Sequence, residues 1–193
     1  MMRMYDTVFP KMFAGSKYAY RLPIGSMDIV DHFPYQDLRD YYEKWYRPDL
    51  QAILVVGDIN VDSIESKIKT MFSDIEMPEN AAERVYYPVA DNAETIFAIG
   101  KDKEMPNTMV NILFKHDATP DSEKTNMDYM IEDYALSMIV SMLNERYQEI
   151  ASKPDAPFAA AQSGYGNFMI SKTKDAFELL GVPKAVSYTH LTL

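Results

Sequence analysis

The sequence predicts an α+β chain built in two parts, and three observations carry that reading. Residues 36–46 and 61–75 place apolar side chains at helical spacing, one on either side of an apolar run at 52–56. Short β-rich runs then recur at 95–99 and 109–114 ahead of a long apolar helix over 119–152. Between these sets, residues 79–92 are polar and broken by proline, which marks a linker.

In the first part, Leu38, Tyr41, Tyr42 and Trp45 fall at i, i+3, i+4 and i+7, so they share one helix face. Arg47-Pro48 stops that helix, because proline disfavours the α region in the residue before it. Residues 52–56 form a continuous apolar run closed by Gly57-Asp58, the pattern of a strand buried on both faces. Asn60 is placed to cap the next helix, with Asp62 near its positive end and Ile64, Ile68, Met71 and Phe72 as its buried stripe.

In the second part, the runs at 95–99 and 109–114 are separated by a charged loop at 101–107 and read as neighbouring strands. Thr119-Pro120 offers an N-cap followed by proline at the first helical position. The helix that follows has Met127, Met130, Ile131, Tyr134, Ala135, Met138 and Met142 on one face and Leu136, Ile139 and Leu143 on another. Its middle is therefore expected to be buried nearly all round. Strands over 158–170 and 175–182 complete this part, with Lys172-Thr-Lys-Asp between them.

Composition sets outer limits. At 193 residues and 47% hydrophobic, the chain can bury a core of one or two domains. Its 29 acidic and 19 basic residues give a net charge of -10, which disfavours nucleic acid or an anionic membrane as partner. No cysteine is present, so there is no disulfide, thiolate nucleophile or cysteine zinc site, a pattern that suits cytoplasm and periplasm alike. The apolar runs fall far short of the roughly 18–20 residues that span a bilayer. Residues 1–13 lack the apolar core of a signal peptide, so any export signal of a parent protein is expected upstream.

From Phe13 to Ile75 the motifs follow one another in a fixed order. G-S-x-Y-A-Y-R-x-P-I-G occupies residues 15–25, an aromatic helix ends in W-Y-R-P-D at 45–49, and an apolar strand closes on Gly57-Asp58 before an amphipathic helix. This series resembles the M16 family of zinc metallopeptidases, the pitrilysin or insulinase-like enzymes, over about residues 1–184. The resemblance implies repeated α/β domains, each with helices packed on a mostly antiparallel sheet. Residues 1–78 would be the closing half of a first, zinc-type repeat and 79–92 a linker. Residues 93–184 would be the opening half of a second, non-catalytic repeat, and 185–193, which resemble translated adapter sequence, a non-native tail.

The resemblance also says what is missing. Zinc in that family is held by H-x-x-E-H and a later glutamate. The matching helix, residues 126–150, has no histidine, and Glu132-Asp133 reads as a solvated helix face. Asp6 is the only acidic residue before the G-S-x-Y-A-Y-R segment, so the third ligand is expected upstream of Met1. His32, His116 and His190 lack ligand spacing and read as turn, strand-end and tail residues. Gly57-Asp58 has no phosphate-loop pattern around it, and Gly15-Ser16 lacks the G-x-S-x-G elbow. Arg146 matches the first, structural arginine of the family's substrate-holding pattern; the second arginine has no counterpart, and Phe158 stands near the tyrosine's place.

No catalytic, metal or substrate-binding residue is therefore assigned. The expected function is that of a fragment of an M16 zinc metalloendopeptidase from a bacterial protein of several repeats, a non-catalytic wall of the substrate chamber. The parent would use zinc, and this piece would bind none. Its expected partners are the peptide substrate and the remaining repeats or a partner subunit, with the parent periplasmic or secreted. The alternative is a non-enzymatic M16-like subunit that binds peptides or pairs with an active partner.

Overall fold

The computed structural model describes residues 2–184. The expected non-native tail at 185–193, with His190, lies outside the described residues. The chain forms two compact units, one of residues 24–85 and one in which residues 1–23 join residues 86 onward.

The larger unit is α+β, with helices on both faces of a three-stranded antiparallel sheet. Its strands are β1 (Val110–Asp117), β2 (Phe158–Asn167) and β3 (Lys174–Pro183), in spatial order β1-β3-β2. Registers Phe114↔Phe177 and Tyr165↔Phe177 put the alternate residues Ile112, Phe114, His116, Ser163 and Tyr165 on one face. That face takes helix α5 (Met127–Ala151). Asn144 of α5 accepts a hydrogen bond from the Ser163 amide at 2.6 Å and donates one to the Ser163 carbonyl at 3.1 Å.

The opposite face, with Leu113, Ala176 and Lys174, carries the core, to which the amino-terminal helix α1 (Met2–Met12) adds Phe9 and the residue just after it adds Phe13. Phe9 and Phe13 bury with Val89, Phe168 and Ala176, and Tyr5, Val8, Met12 and Tyr18 pack around them. Ring centroids at 5.1 Å for Phe9–Phe13 and 5.2 Å for Phe13–Phe168, both edge-to-face, fall in the favoured range for aromatic pairs.

Several expectations change here. The 95–99 run forms no ladder with β1; residues 100–104 lie instead against α1. Arg3 donates to both carboxylate oxygens of Asp102 at 2.8 and 3.0 Å, and a Cβ on Gly100 would stand 3.2 Å from Val8 Cγ1. The helix expected from Thr119 starts at Met127. Residues 120–126 form tight turns through Glu123 N to Pro120 O and Asn126 N to Glu123 O, and Asn126 is the N-cap. Nor is α5 buried nearly all round. It packs along β2 only, so Met127, Met130, Ile131, Tyr134, Met138 and Met142 remain exposed.

Residues 24–85 form the smaller unit, with α2 (Met27–His32), α3 (Tyr35–Trp45) and α4 (Val61–Met71). Ser26 caps α2 through Ile29 N, and Asn60 caps α4 by accepting from Ser63 N at 2.9 Å. Helix α3 ends ahead of Arg47-Pro48, as the sequence implies. The 52–56 run forms no strand, and no described strand pairs with it. It is not buried on both faces: Leu54 is 83% and Val56 95% exposed. The expected stripes of α3 and α4 likewise stay open at Leu38, Tyr41, Tyr42, Met71 and Phe72. Arg47 is the one buried residue here among those described, its guanidinium donating to the Ala82 carbonyl at 2.5 Å and pairing with Asp49 at 2.9 Å.

Candidate functional site

Every residue weighed for chemistry can be placed except His190. His32 closes α2, where its Nδ1 lies 2.9 Å from the Asp28 carbonyl and 3.3 Å from the Asp28 carboxylate, an i,i+4 contact within one helix turn. His116 lies on β1 with its ring stacked on Tyr165 at 5.6 Å and its Nδ1 2.8 Å from the Asp117 carbonyl. Each imidazole thus uses Nδ1 on its own element. Among the described residues no group of three or more His, Asp or Glu side chains is placed to hold a metal ion. The donors present do not fit a zinc site.

Helix α5, which the sequence reading sets against the zinc helix, offers carboxylates without imidazoles. Glu132 and Asp133 are exposed on it, as a solvated face requires. They bear on one neighbour: the Tyr165 hydroxyl is pushed above its ordinary range, mainly by burial and then by the charges of Asp175, Glu132 and Asp133. A raised phenol stays protonated and can donate, but it has no depressed base beside it to start an acyl or proton transfer.

The remaining candidates have structural work. Arg146 is exposed and pairs with Glu149 at 3.2 Å, one turn along the helix. The Phe158 ring packs edge-on against Tyr147 with centroids 6.3 Å apart. Gly15 adopts φ +79°, the left-handed turn that ends the α1 segment, and the Ser16 hydroxyl beside it is buried with no hydrogen-bond partner among the described residues. A nucleophilic serine needs a base within hydrogen-bond reach, and Ser16 has none. Gly57-Asp58 lies in the exposed turn before α4, but the run ahead of it is no described strand, so only the helix side of the strand-to-helix account is seen.

What the sequence left unassigned is a charged cluster on the α1 side of the sheet. Lys174, 5% exposed, donates to Asp91 at 2.5 Å and to Asp117 at 2.6 Å. Hydrogen bonds to Asp117 and Asp91 hold the Lys174 ammonium above its ordinary range, and the bond from Lys174 holds Asp91 below the usual carboxylate range. Desolvation lowers neighbouring Lys115, which donates to the Ala90 carbonyl at 2.5 Å. Nothing in the spacing of residues 91, 117 and 174 could have revealed this, because antiparallel register is what makes Asp117 and Lys174 neighbours. No described helix is long and apolar enough to cross a membrane.

Comparison with known proteins agrees with the fold and with the missing zinc site. The family model of the peptidase M16 inactive domain matches residues 32–170. A protein of Arabidopsis thaliana named zinc protease PQQL-like is 34% identical over 160 residues, which is 82% of this chain and 16% of that protein. The probable zinc protease PqqL of Escherichia coli is 32% identical over 140 residues, 72% of this chain and 15% of its own length. The chain therefore spans about one sixth of the curated relatives it matches. The crystal structure of the first half of the periplasmic protease PqqL from Escherichia coli superposes with a TM-score of 0.71 at 23% identity, covering 94% of this chain and 38% of that one. The family match, the two relatives and the shared α+β fold lead to one conclusion: the chain belongs to the M16 peptidase family.

Proposed function

We propose that this chain is a non-catalytic section of an M16 zinc metalloendopeptidase, forming part of the wall around the peptide substrate. The observation that carries it is the pairing of the inactive-domain match with an α5 that holds no imidazole at the zinc-helix position. In the parent, zinc would supply the activated water; none of the residues here takes part in that step. Residues 1–78 and 93–184 are read as the closing half of one repeat and the opening half of the next. On that reading the seating of α1 on the β1-β3-β2 sheet is a contact between successive repeats.

The exposed apolar faces of α3, α5 and residues 52–56 support the reading, since surfaces of this size are expected to be covered by further chain of the parent or by a partner subunit. A periplasmic or secreted parent follows the analogy with PqqL. The test is to express the parent open reading frame with and without the H-x-x-E-H histidines, assaying cleavage of an unstructured peptide. Chelator-sensitive cleavage lost with those histidines supports the enzyme. A parent whose upstream repeat lacks the motif, and which binds peptide without cleaving it, would replace this reading with that of a peptide-binding subunit.

A further inference from the structure

Residues Tyr87, Pro88, Val89, Ala90 and Asp91 run across the sheet face that carries Leu113, Ala176 and Lys174, and Val89 completes the aromatic core. Among the described residues, no main-chain hydrogen bond holds positions 88–91. A segment that seals a core without a ladder must be held by side chains. Side chains from the rest of the unit reach it. Lys174 donates to Asp91, Lys115 to the Ala90 carbonyl, Thr173 to the Tyr87 carbonyl at 3.5 Å, and Lys17 to the Tyr87 hydroxyl at 3.0 Å.

The strongest grip is lopsided. The Lys174 side chain is 6% exposed, whereas Asp91 and Asp117 are 74% and 84% exposed. A buried ammonium without a counter-charge is costly, but the two carboxylates can be rehydrated at little cost. Asp117 is fixed opposite Lys174 by strand register, so it stays; Asp91 is on the crossing segment, outside the ladder. Solvent ions reach the exposed carboxylates and weaken this bridge, whereas they would leave a backbone ladder nearly unaffected.

We propose that residues 87–91 are an electrostatic latch, a strap that closes over the aromatic core when Lys174 bridges Asp91 and Asp117 and opens as a unit when that bridge is broken, uncovering Phe13 and Phe168. The device is separate from any peptidase role and does not depend on it. Opening would present a compact apolar patch, under control of salt and acidity, at the place where the chain returns from residues 24–85.

The absence of cysteine gives a clean reporter, because Val89→Cys introduces the only thiol of the chain at a strap position whose side chain is buried against the core. Labelling by a small disulfide reagent is measured on the full chain, alongside amide exchange of the β2–β3 ladder. Adding Lys174→Met should speed labelling by about tenfold or more, the scale of a lost charge-assisted bond, with ladder exchange unchanged. Raising salt from about 0.05 to about 0.5 M should speed labelling in the Val89→Cys protein and do little once Lys174→Met is present. Asp91→Asn, which leaves Lys174 its bond to Asp117, should act in the same direction and decides the matter if Lys174→Met does not fold. Labelling insensitive to Asp91→Asn and to salt overturns the latch. So does labelling that rises only in step with ladder exchange, since that would be global unfolding.

Discussion

Replacing Phe13 by Ala should remove most of the stability of the larger unit. Phe13 is fully buried, with Phe9, Phe168 and Tyr18 rings at 5.1, 5.2 and 5.7 Å, so its loss leaves a cavity walled by three aromatic faces. Such truncations cost about 3–5 kcal/mol, the transfer term plus the cavity. Small domains hold only about 5–15 kcal/mol in total. With a urea slope of about 2 kcal/mol per molar, the midpoint should fall by about 2 M. The matched control is Leu54→Ala: Leu54 is equally apolar but 83% exposed, and its loss should stay within about 0.5 kcal/mol. Far-UV ellipticity is the readout, because Trp45, the single tryptophan, sits in the other unit and its fluorescence does not follow this core. Equal midpoints for the two variants, or a larger shift for Leu54→Ala, would refute the assignment of the core to the α1 side of the sheet.

Other outcomes follow from the same arrangement. Purified 1–193 with stoichiometric zinc should show no chelator-sensitive cleavage of an unstructured peptide; catalytic zinc normally needs three protein ligands, and measurable turnover would contradict the donor inventory. Limited proteolysis should cut first within 79–84, and the two products should still co-elute, because Phe9 and Phe13 lie on one and Val89, Phe168 and Ala176 on the other. Separation of the products without denaturant would count against that core. The Asp102 carboxyl, held at about 2 chiefly by its bond from Arg3, contributes stability that is present above its unfolded value near 3.9 and lost as pH falls toward about 2. Carbon-detected titration should place it there, and Arg3→Ala should return it to the ordinary range. Asp91 is shifted the same way by Lys174, so the strap, faced by Lys115, Lys174, Asp117 and Lys17, should open in acid; labelling at position 89, divided by that of a free thiol at the same pH because the thiolate is the reactive form, should rise below about pH 4, and a ratio that falls would be the opposite sign.

Local patterns were legible in the sequence, and pairings were not. The i, i+3, i+4, i+7 set at Leu38, Tyr41, Tyr42 and Trp45 gave α3, and Asn60 gave the start of α4, because capping and periodicity are written within a few residues. The β3 and β1 runs were found for the same reason. The 52–56 run shows the limit: its apolar composition is that of a buried strand, but burial needs partners, and no described strand lies beside it. Helix α1 was not read from the sequence although Tyr5, Val8, Phe9 and Met12 have helical spacing; Pro10, within its last turn, is a residue that weakens the helical signal. Absence of a zinc site could be anticipated on α5, since histidine is either in the helix or not. The Lys174 cluster could not, as strand register brings Asp117 to Lys174 and a crossing segment outside the sheet brings Asp91.

The seating of α1 has a consequence in time. Phe9 and Phe13 leave the ribosome ahead of the rest of this unit, and the strand that completes the sheet under them, β3, ends at Pro183. At translation rates of about 5–20 residues per second, the roughly 170 intervening residues take about 9–34 s to appear. Through that interval an amphipathic aromatic helix is on display with its docking surface not yet made. Helix formation itself is complete within about a microsecond, so the nascent chain waits on synthesis rather than on its own conformational search. The larger unit is thus a structure whose first segment must wait for its last strand, and residues 24–85, made in between, lengthen the time for which that segment is open to holdase chaperones.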